Sequence, residues 1–153
     1  VKITDFLTAE TIVPALAGRE KNAVLQEMAS GLVAHHPALD EKKVFKVLSD
    51  RERISTTAIG EGVAIPHGKL REVDRVVGVF ARSIEGVDFA SLDGGPTHLF
   101  FVLIAPENAA ADHLKALARI SRLLKDPTFR NRLIEAKTRQ EIFDIIAQED
   151  QKF

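Results

Sequence analysis

The sequence predicts a layered α/β domain, and three observations carry that expectation. Two helix-patterned stretches come early, apolar strand-like stretches fill the middle, and helix patterning returns from Asn108 onward. The run Leu99-Phe100-Phe101-Val102-Leu103-Ile104 is continuously apolar. It is too short for a lone helix and suits a central strand covered on both faces. The chain has 153 residues, a length for one domain over residues 1–153 with a sizeable core.

Taken in order, Ile3, Phe6 and Leu7 suggest a short helical turn, and Ile12-Val13 a short strand whose neighbour Pro14 marks an edge. From Lys21 to Val33 the residues Val24, Leu25, Met28, Ala29, Leu32 and Val33 form one helical stripe, stopped by Pro37. His35 and His36 follow it, where imidazolium complements a helix C-terminus. Asp40 is an N-cap for a second helix through about Asp50, with Val44, Val47 and Leu48 as its apolar face. The charged run Arg51-Glu52-Arg53 closes it. Ile54 to Ile65 reads as loop and strand, and Arg75 to Arg82 as strand. Gly86 to Gly95 is turn-rich, ending in Asp93-Gly94-Gly95-Pro96. Leu114, Leu117, Ala118, Ser121 and Leu124 keep helical spacing. Asp126-Pro127 starts another helix with an N-cap and a proline at its first position. Thr138-Arg139-Gln140-Glu141 has capping-box spacing before Ile142, Ile145 and Ile146. The tail from Gln148 to Phe153 is expected to fray.

Composition excludes several classes of function. Lysine plus arginine number 21 against 22 aspartate plus glutamate, a net charge of −1, so nothing draws the chain to nucleic acid or an anionic membrane. With no cysteine there is no disulfide framework, thiolate nucleophile or cysteine zinc site. No apolar run approaches the ~20 residues of a membrane helix. Charges interrupt the first residues too often for a signal peptide, so a cytoplasmic location is expected.

Of the five histidines, His67 has the unusual setting. It stands between Pro66 and Gly68 at the end of a small apolar segment, on what reads as a stiff, approachable loop, with Gly68 allowing a donor's backbone to come close. Neutral imidazole is a competent nucleophile near neutral pH and accepts a phosphoryl group on nitrogen. On spacing alone, a turn histidine is the commoner reading. His113 is the second candidate: it lies in the first turns of a helix, where anions are favoured, and borders the stripe of Leu117 and Ile120. Arg51 is a candidate phosphate clamp. Alone, His113 is more often a helix-surface histidine and Arg51 a solvated helix end. A zinc site of His67 and His113 lacks a third ligand. Gly60-Glu61-Gly62 does not make a dinucleotide loop, because its glycines precede the apolar run and Ile65 holds the third position.

The spacing from Glu52 to Gly68 resembles the signature of the type-2 enzyme IIA domains of the bacterial phosphotransferase system, the fructose–mannitol–nitrogen superfamily. That signature runs as an acidic or amide residue, six residues, an aliphatic, a small residue and two more. It closes on aliphatic-Ala-aliphatic-Pro-His and a small residue. Here these are Glu52, Ile59-Gly60, Val63-Ala64-Ile65-Pro66-His67 and Gly68. The stretch Thr97 to Pro106 and the helix holding His113-Leu114 are similar to the same family. The resemblance implies a mixed, mostly parallel sheet of about five strands flanked by helices on both faces. It implies His67 as phosphoryl acceptor, through Nε2, with His113 and Arg51 completing the site. It implies a histidine-containing phosphocarrier protein as donor and no metal or organic cofactor. The opening Lys2-Ile3-Thr4-Asp5-Phe6-Leu7 resembles the stand-alone nitrogen-related members, whose phosphorylation state alters binding to target proteins. The alternative is a sugar-specific IIA passing phosphate to a IIB domain.

Overall fold

A computed structural model of the chain describes residues 1–152. After two single 3-10 turns, the elements are β1 (Ile12–Val13), α1 (Lys21–Val33), α2 (Glu41–Ile54), β2 (Ala58–Gly60), β3 (Val63–Ala64), β4 (His67–Leu70), β5 (Val77–Val87), β6 (Thr97–Pro106), α3 (Ala110–Leu124), α4 (Pro127–Glu135) and α5 (Arg139–Asp150). The sheet has the order β1-β5-β6-β3-β2, and β4 also pairs with β6. The sheet is mixed, as expected. β1 on β5, and β3 and β4 on β6, are parallel; β2 on β3 and the long β5–β6 ladder are antiparallel.

The apolar run predicted as a central strand is β6, and its alternation shows why it needs no polar face. Phe100, Val102 and Ile104 enter the core beneath α1 and α2, with Val24, Leu25, Met28, Val44 and Leu48. Leu99, Phe101 and Leu103 enter the opposite core, with Ile120, Leu123, Phe129, Leu133 and Ile142 from the last three helices. Two helical layers therefore sandwich the sheet, and each large side chain fully buried contributes about 1.5–3 kcal/mol.

β3 and β4 are two halves of one strand. Val63 stands opposite Leu99 and His67 opposite Leu103, the same offset on both sides of the interruption. The break is at Ile65-Pro66, where proline has no N–H to give. Its carbonyl still accepts from Leu103 N at 3.0 Å.

Three expected boundaries shift. The second helix runs to Ile54, past Asp50, because Glu52 turns inward to the buried Thr57 instead of closing the helix in solvent. The strand expected to stop at Arg82 continues to Val87 through an irregularity at Gly86, whose φ is +93°. The C-terminal segment does not fray: α5 continues to Asp150, which is buried and accepts from Arg119 Nε at 2.5 Å and Thr4 N at 3.2 Å. Phe153 lies outside the described residues. The capping box at Thr138 is displaced by one residue. Thr138 Oγ1 accepts from Glu141 N, while the Glu141 carboxylate accepts from Lys137 N.

Candidate functional site

His67, His113 and Arg51 come from three elements and meet in one cleft of about 560 Å³. Period-two alternation explains the direction of His67. Val63 and Ile65, its even-spaced neighbours, point into the core under α3, and the half-buried His67 ring turns to the same side, where it lines the cleft. His113, in the first turns of α3, meets it there: the ring centroids are 5.4 Å apart, inclined at 75°. Gly68 faces the other way, toward α2, where a Cβ would overlap Val47 Cγ1.

Two expectations are corrected here. His67 opens a strand on β6 instead of riding a free loop, and it is half-buried. Gly68 lines the cleft, but the space of its missing Cβ is taken by Val47 of α2.

The orientation of the imidazole is set by its own chain. His67 Nδ1 lies 2.8 Å from the Ile65 carbonyl oxygen. A carbonyl only accepts, so Nδ1 carries the proton and Nε2 keeps its lone pair. Burial holds the His67 pKa below its ordinary value, partly opposed by the Ile65 hydrogen bond; Arg51 lowers it further and Glu52 raises it. The neutral, nucleophilic form is thus favoured. His113 is buried, and its Nε2 has no hydrogen-bond partner among the described residues. Burial lowers its pKa first, then the charges of His67 and Lys69. A buried imidazole nitrogen without a partner is costly unless something visits it.

Arg51 is on the last turn of α2. Its Nη1 donates to the Ser55 carbonyl at 2.9 Å, a contact that steadies the guanidinium at the cleft wall. The N-cap of α3, Ala109, provides no side-chain cap, so first-turn N–H groups remain at the end where Ala110 lines the cleft. The walls are otherwise apolar. Val47, Arg51 and Ile54 share one face of α2, and Ala110, His113, Leu114 and Leu117 one face of α3. Ile54 is 80% exposed and Leu114 is 67% exposed.

Sequence reasoning passed over this apolar rim, although part of it was legible: Ile54 lies three residues from Arg51, at helical spacing, while Leu114 is the direct neighbour of His113 and shows its place at the cleft only in the fold. It also left Glu52 without a role. The Glu52 side chain is 3% exposed, paired with Lys21 Nζ at 2.9 Å. Among the described residues no group of three His, Cys, Asp or Glu side chains is arranged to hold a metal ion.

An imidazole tautomer fixed by a backbone carbonyl, a second imidazole, an arginine and an uncapped helix start form an arrangement whose chemistry suits an anionic group such as a phosphoryl. Residues 5–149 match the family described as "Phosphoenolpyruvate-dependent sugar phosphotransferase system, EIIA 2". The chain belongs to that family. Among relatives of this EIIA chain is a nitrogen regulatory protein of Bradyrhizobium diazoefficiens, 48% identical over 145 residues, covering 95% of this chain and 94% of the relative. The fructose-specific EIIABC component of Bacillus subtilis is 42% identical over 98% of this chain, which spans 24% of that longer protein. The crystal structure of nitrogen regulatory protein IIA-Ntr from Neisseria meningitidis superposes with a TM-score of 0.88 at 31% identity, covering 94% of this chain and 98% of that one. Family and fold agree with what the signature implied.

Proposed function

We propose that this EIIA chain is a phosphohistidine phosphocarrier of the nitrogen-regulatory kind, accepting a phosphoryl group from a histidine-containing phosphocarrier protein on Nε2 of His67. The observation that carries the reading is the 2.8 Å contact from His67 Nδ1 to the Ile65 carbonyl, which leaves Nε2 as the one nucleophilic ring nitrogen. In the step, the Nε2 lone pair attacks phosphorus. The donor's N–P bond breaks and its electron pair returns to the donor ring. Nδ1 keeps its proton, and the Ile65 carbonyl stabilises the positive charge that the ring acquires. Arg51 and His113 stabilise the phosphoryl oxygens as charge moves, a role that is mostly positioning and electrostatics. This chemistry asks for no metal or organic cofactor.

Phosphorylation adds about −1.5 to −2 of charge near neutral pH. That charge would appear in a cleft rimmed by exposed Ile54 and Leu114. A switchable charge inside an apolar rim suits a cytoplasmic protein whose contacts with target proteins depend on its phosphorylation state. The fructose-specific relative supports a second reading, a sugar-type IIA that hands its phosphoryl group to a IIB domain.

Incubation with phosphoenolpyruvate, the first relay enzyme and a histidine phosphocarrier tests the acceptor role. An acid-labile adduct of about 80 daltons is expected, and it should vanish in His67→Ala. An adduct surviving that substitution refutes the reading. Rapid, complete transfer from the phosphorylated chain to a sugar-specific IIB domain favours the second reading over the first.

A further inference from the structure

We propose that Glu52 is a positioning residue for His67, acting through Thr57 and Ile65. The inference rests on His67 as the phosphoryl acceptor. Glu52 is one residue beyond Arg51 on α2, but it points away from the cleft into the protein, with Lys21 Nζ 2.9 Å from one oxygen. Thr57 gives the carboxylate two donors, its N–H at 3.1 Å and its hydroxyl. The Thr57 carbonyl accepts from Ile65 N at 3.1 Å. The Ile65 carbonyl accepts from His67 Nδ1 at 2.8 Å. An unbroken series of contacts thus leads from a buried carboxylate, paired with the partly exposed Lys21, to the ring that carries the chemistry.

The coupling is one of position. The N–H and the carbonyl of Thr57 belong to different peptide planes, and so do those of Ile65, so no single amide carries polarisation along the whole series. What is transmitted is placement. Thr57 has one seat, fixed by two donors on one carboxylate. Ile65 N is held by Thr57, and Pro66 keeps the following peptide stiff. The Ile65 carbonyl is therefore presented at one angle to Nδ1. The ion pair itself adds little net stability, since burying the Glu52 carboxylate costs desolvation that the partly exposed Lys21 offsets. It does supply a single register for the segment that aims the imidazole. Lys21, the first residue of α1, neutralises the carboxylate and also stands 4.7 Å over the Phe89 ring. The Glu52 charge also lies close enough to raise the His67 pKa, against the larger lowering by burial.

The test uses Glu52→Ala, Glu52→Gln and Thr57→Val in the full chain. The His67 tautomer is read by nitrogen NMR on the unphosphorylated protein, and phosphorylation kinetics are read against donor concentration. In Glu52→Ala the Nδ1–H tautomer should give way to a mixture. The kcat should fall about 10- to 100-fold, the scale expected of sub-ångström to ångström misplacement, with the donor KM within about twofold. Glu52→Gln, which keeps one acceptor for Thr57, should recover kcat to within about tenfold of the parent. A folded Glu52→Ala protein with lower Tm but parental tautomer and kcat would show a mere anchor and overturn the proposal. Should Glu52→Ala not fold, Thr57→Val decides: a smaller shift of tautomer and kcat in the same direction supports the proposal, and no shift in either overturns it. Because the tautomer is read without phosphoryl transfer, failure of the parent to be phosphorylated at His67 would fall on the proposed function and leave the positioning result standing.

Discussion

Gly68→Ala turns the packing behind the site into a measurable quantity. The backbone at Gly68 does not have a positive φ, so alanine faces no conformational barrier there. On its own, the substitution gains about 0.4–1 kcal/mol by restricting the unfolded chain. Against that, the new Cβ overlaps Val47 Cγ1, while Val47 Cβ stays 3.5 Å away. The conflict is therefore with one methyl of a side chain that is stiff at χ1 on a helix. Relief requires an unfavourable rotamer or a shift of α2, an overpacking cost of about 1–3 kcal/mol. The clash wins, leaving a net loss of roughly 1–2 kcal/mol. For a chain of this size that lowers Tm by about 2–8 °C. Arg51 is one turn beyond Val47 on the same face, so a shifted α2 also slows phosphorylation of His67. The assay is a double-mutant cycle by thermal or urea unfolding. In a Val47→Ala background, Gly68→Ala should cost nothing or stabilise. A Gly68→Ala protein as stable as the parent, or an equal loss in both backgrounds, refutes the argument that Gly68 exists to seat α2.

Arg51→Ala and His113→Ala should each slow phosphoryl transfer to His67 by about 10²- to 10³-fold, the scale of losing one transition-state donor, with little change in Tm. Arg51→Ala should also raise the His67 pKa in an NMR titration, because the arginine charge lowers it. His36, His67 and His113 all have pKa values lowered first by burial. Folding therefore favours their neutral forms, and the unfolded chain binds more protons once pH falls below its ordinary histidine value, about 6.5. Thermal stability should be flat above that value and decline as pH drops through it, with a shallower decline in His113→Gln; rising stability over that window contradicts the assignment. Arg82→Met should cost about 3 kcal/mol. The buried guanidinium donates to the carbonyls of Pro14, Leu133, Ile134 and Ala136, and methionine leaves all four without it. Phosphorylation of the still-folded variant at low temperature should match the parent.

Local patterns in the sequence determined much of this protein. The helical stripes, the caps at Asp40, Asp126 and Thr138, the doubly apolar β6 and the edge at Pro14 all follow from period, capping chemistry and proline sterics. Those properties act over a few residues and are visible without a fold. The spacing from Glu52 to Gly68 likewise marked His67. Tertiary structure decided what each residue faces. Strand alternation turns His67 toward α3 and Gly68 toward α2, so neighbours in sequence serve opposite layers. Long-range pairing made one interrupted strand out of what looked like a turn. Burial, which depends on every layer at once, extended α2 past its charged run, kept α5 regular to Asp150 and left His113 Nε2 without a partner. The Ile65 carbonyl that leaves Nε2 free is two residues from His67 in sequence, yet the contact depends on the folded course of the chain through Pro66.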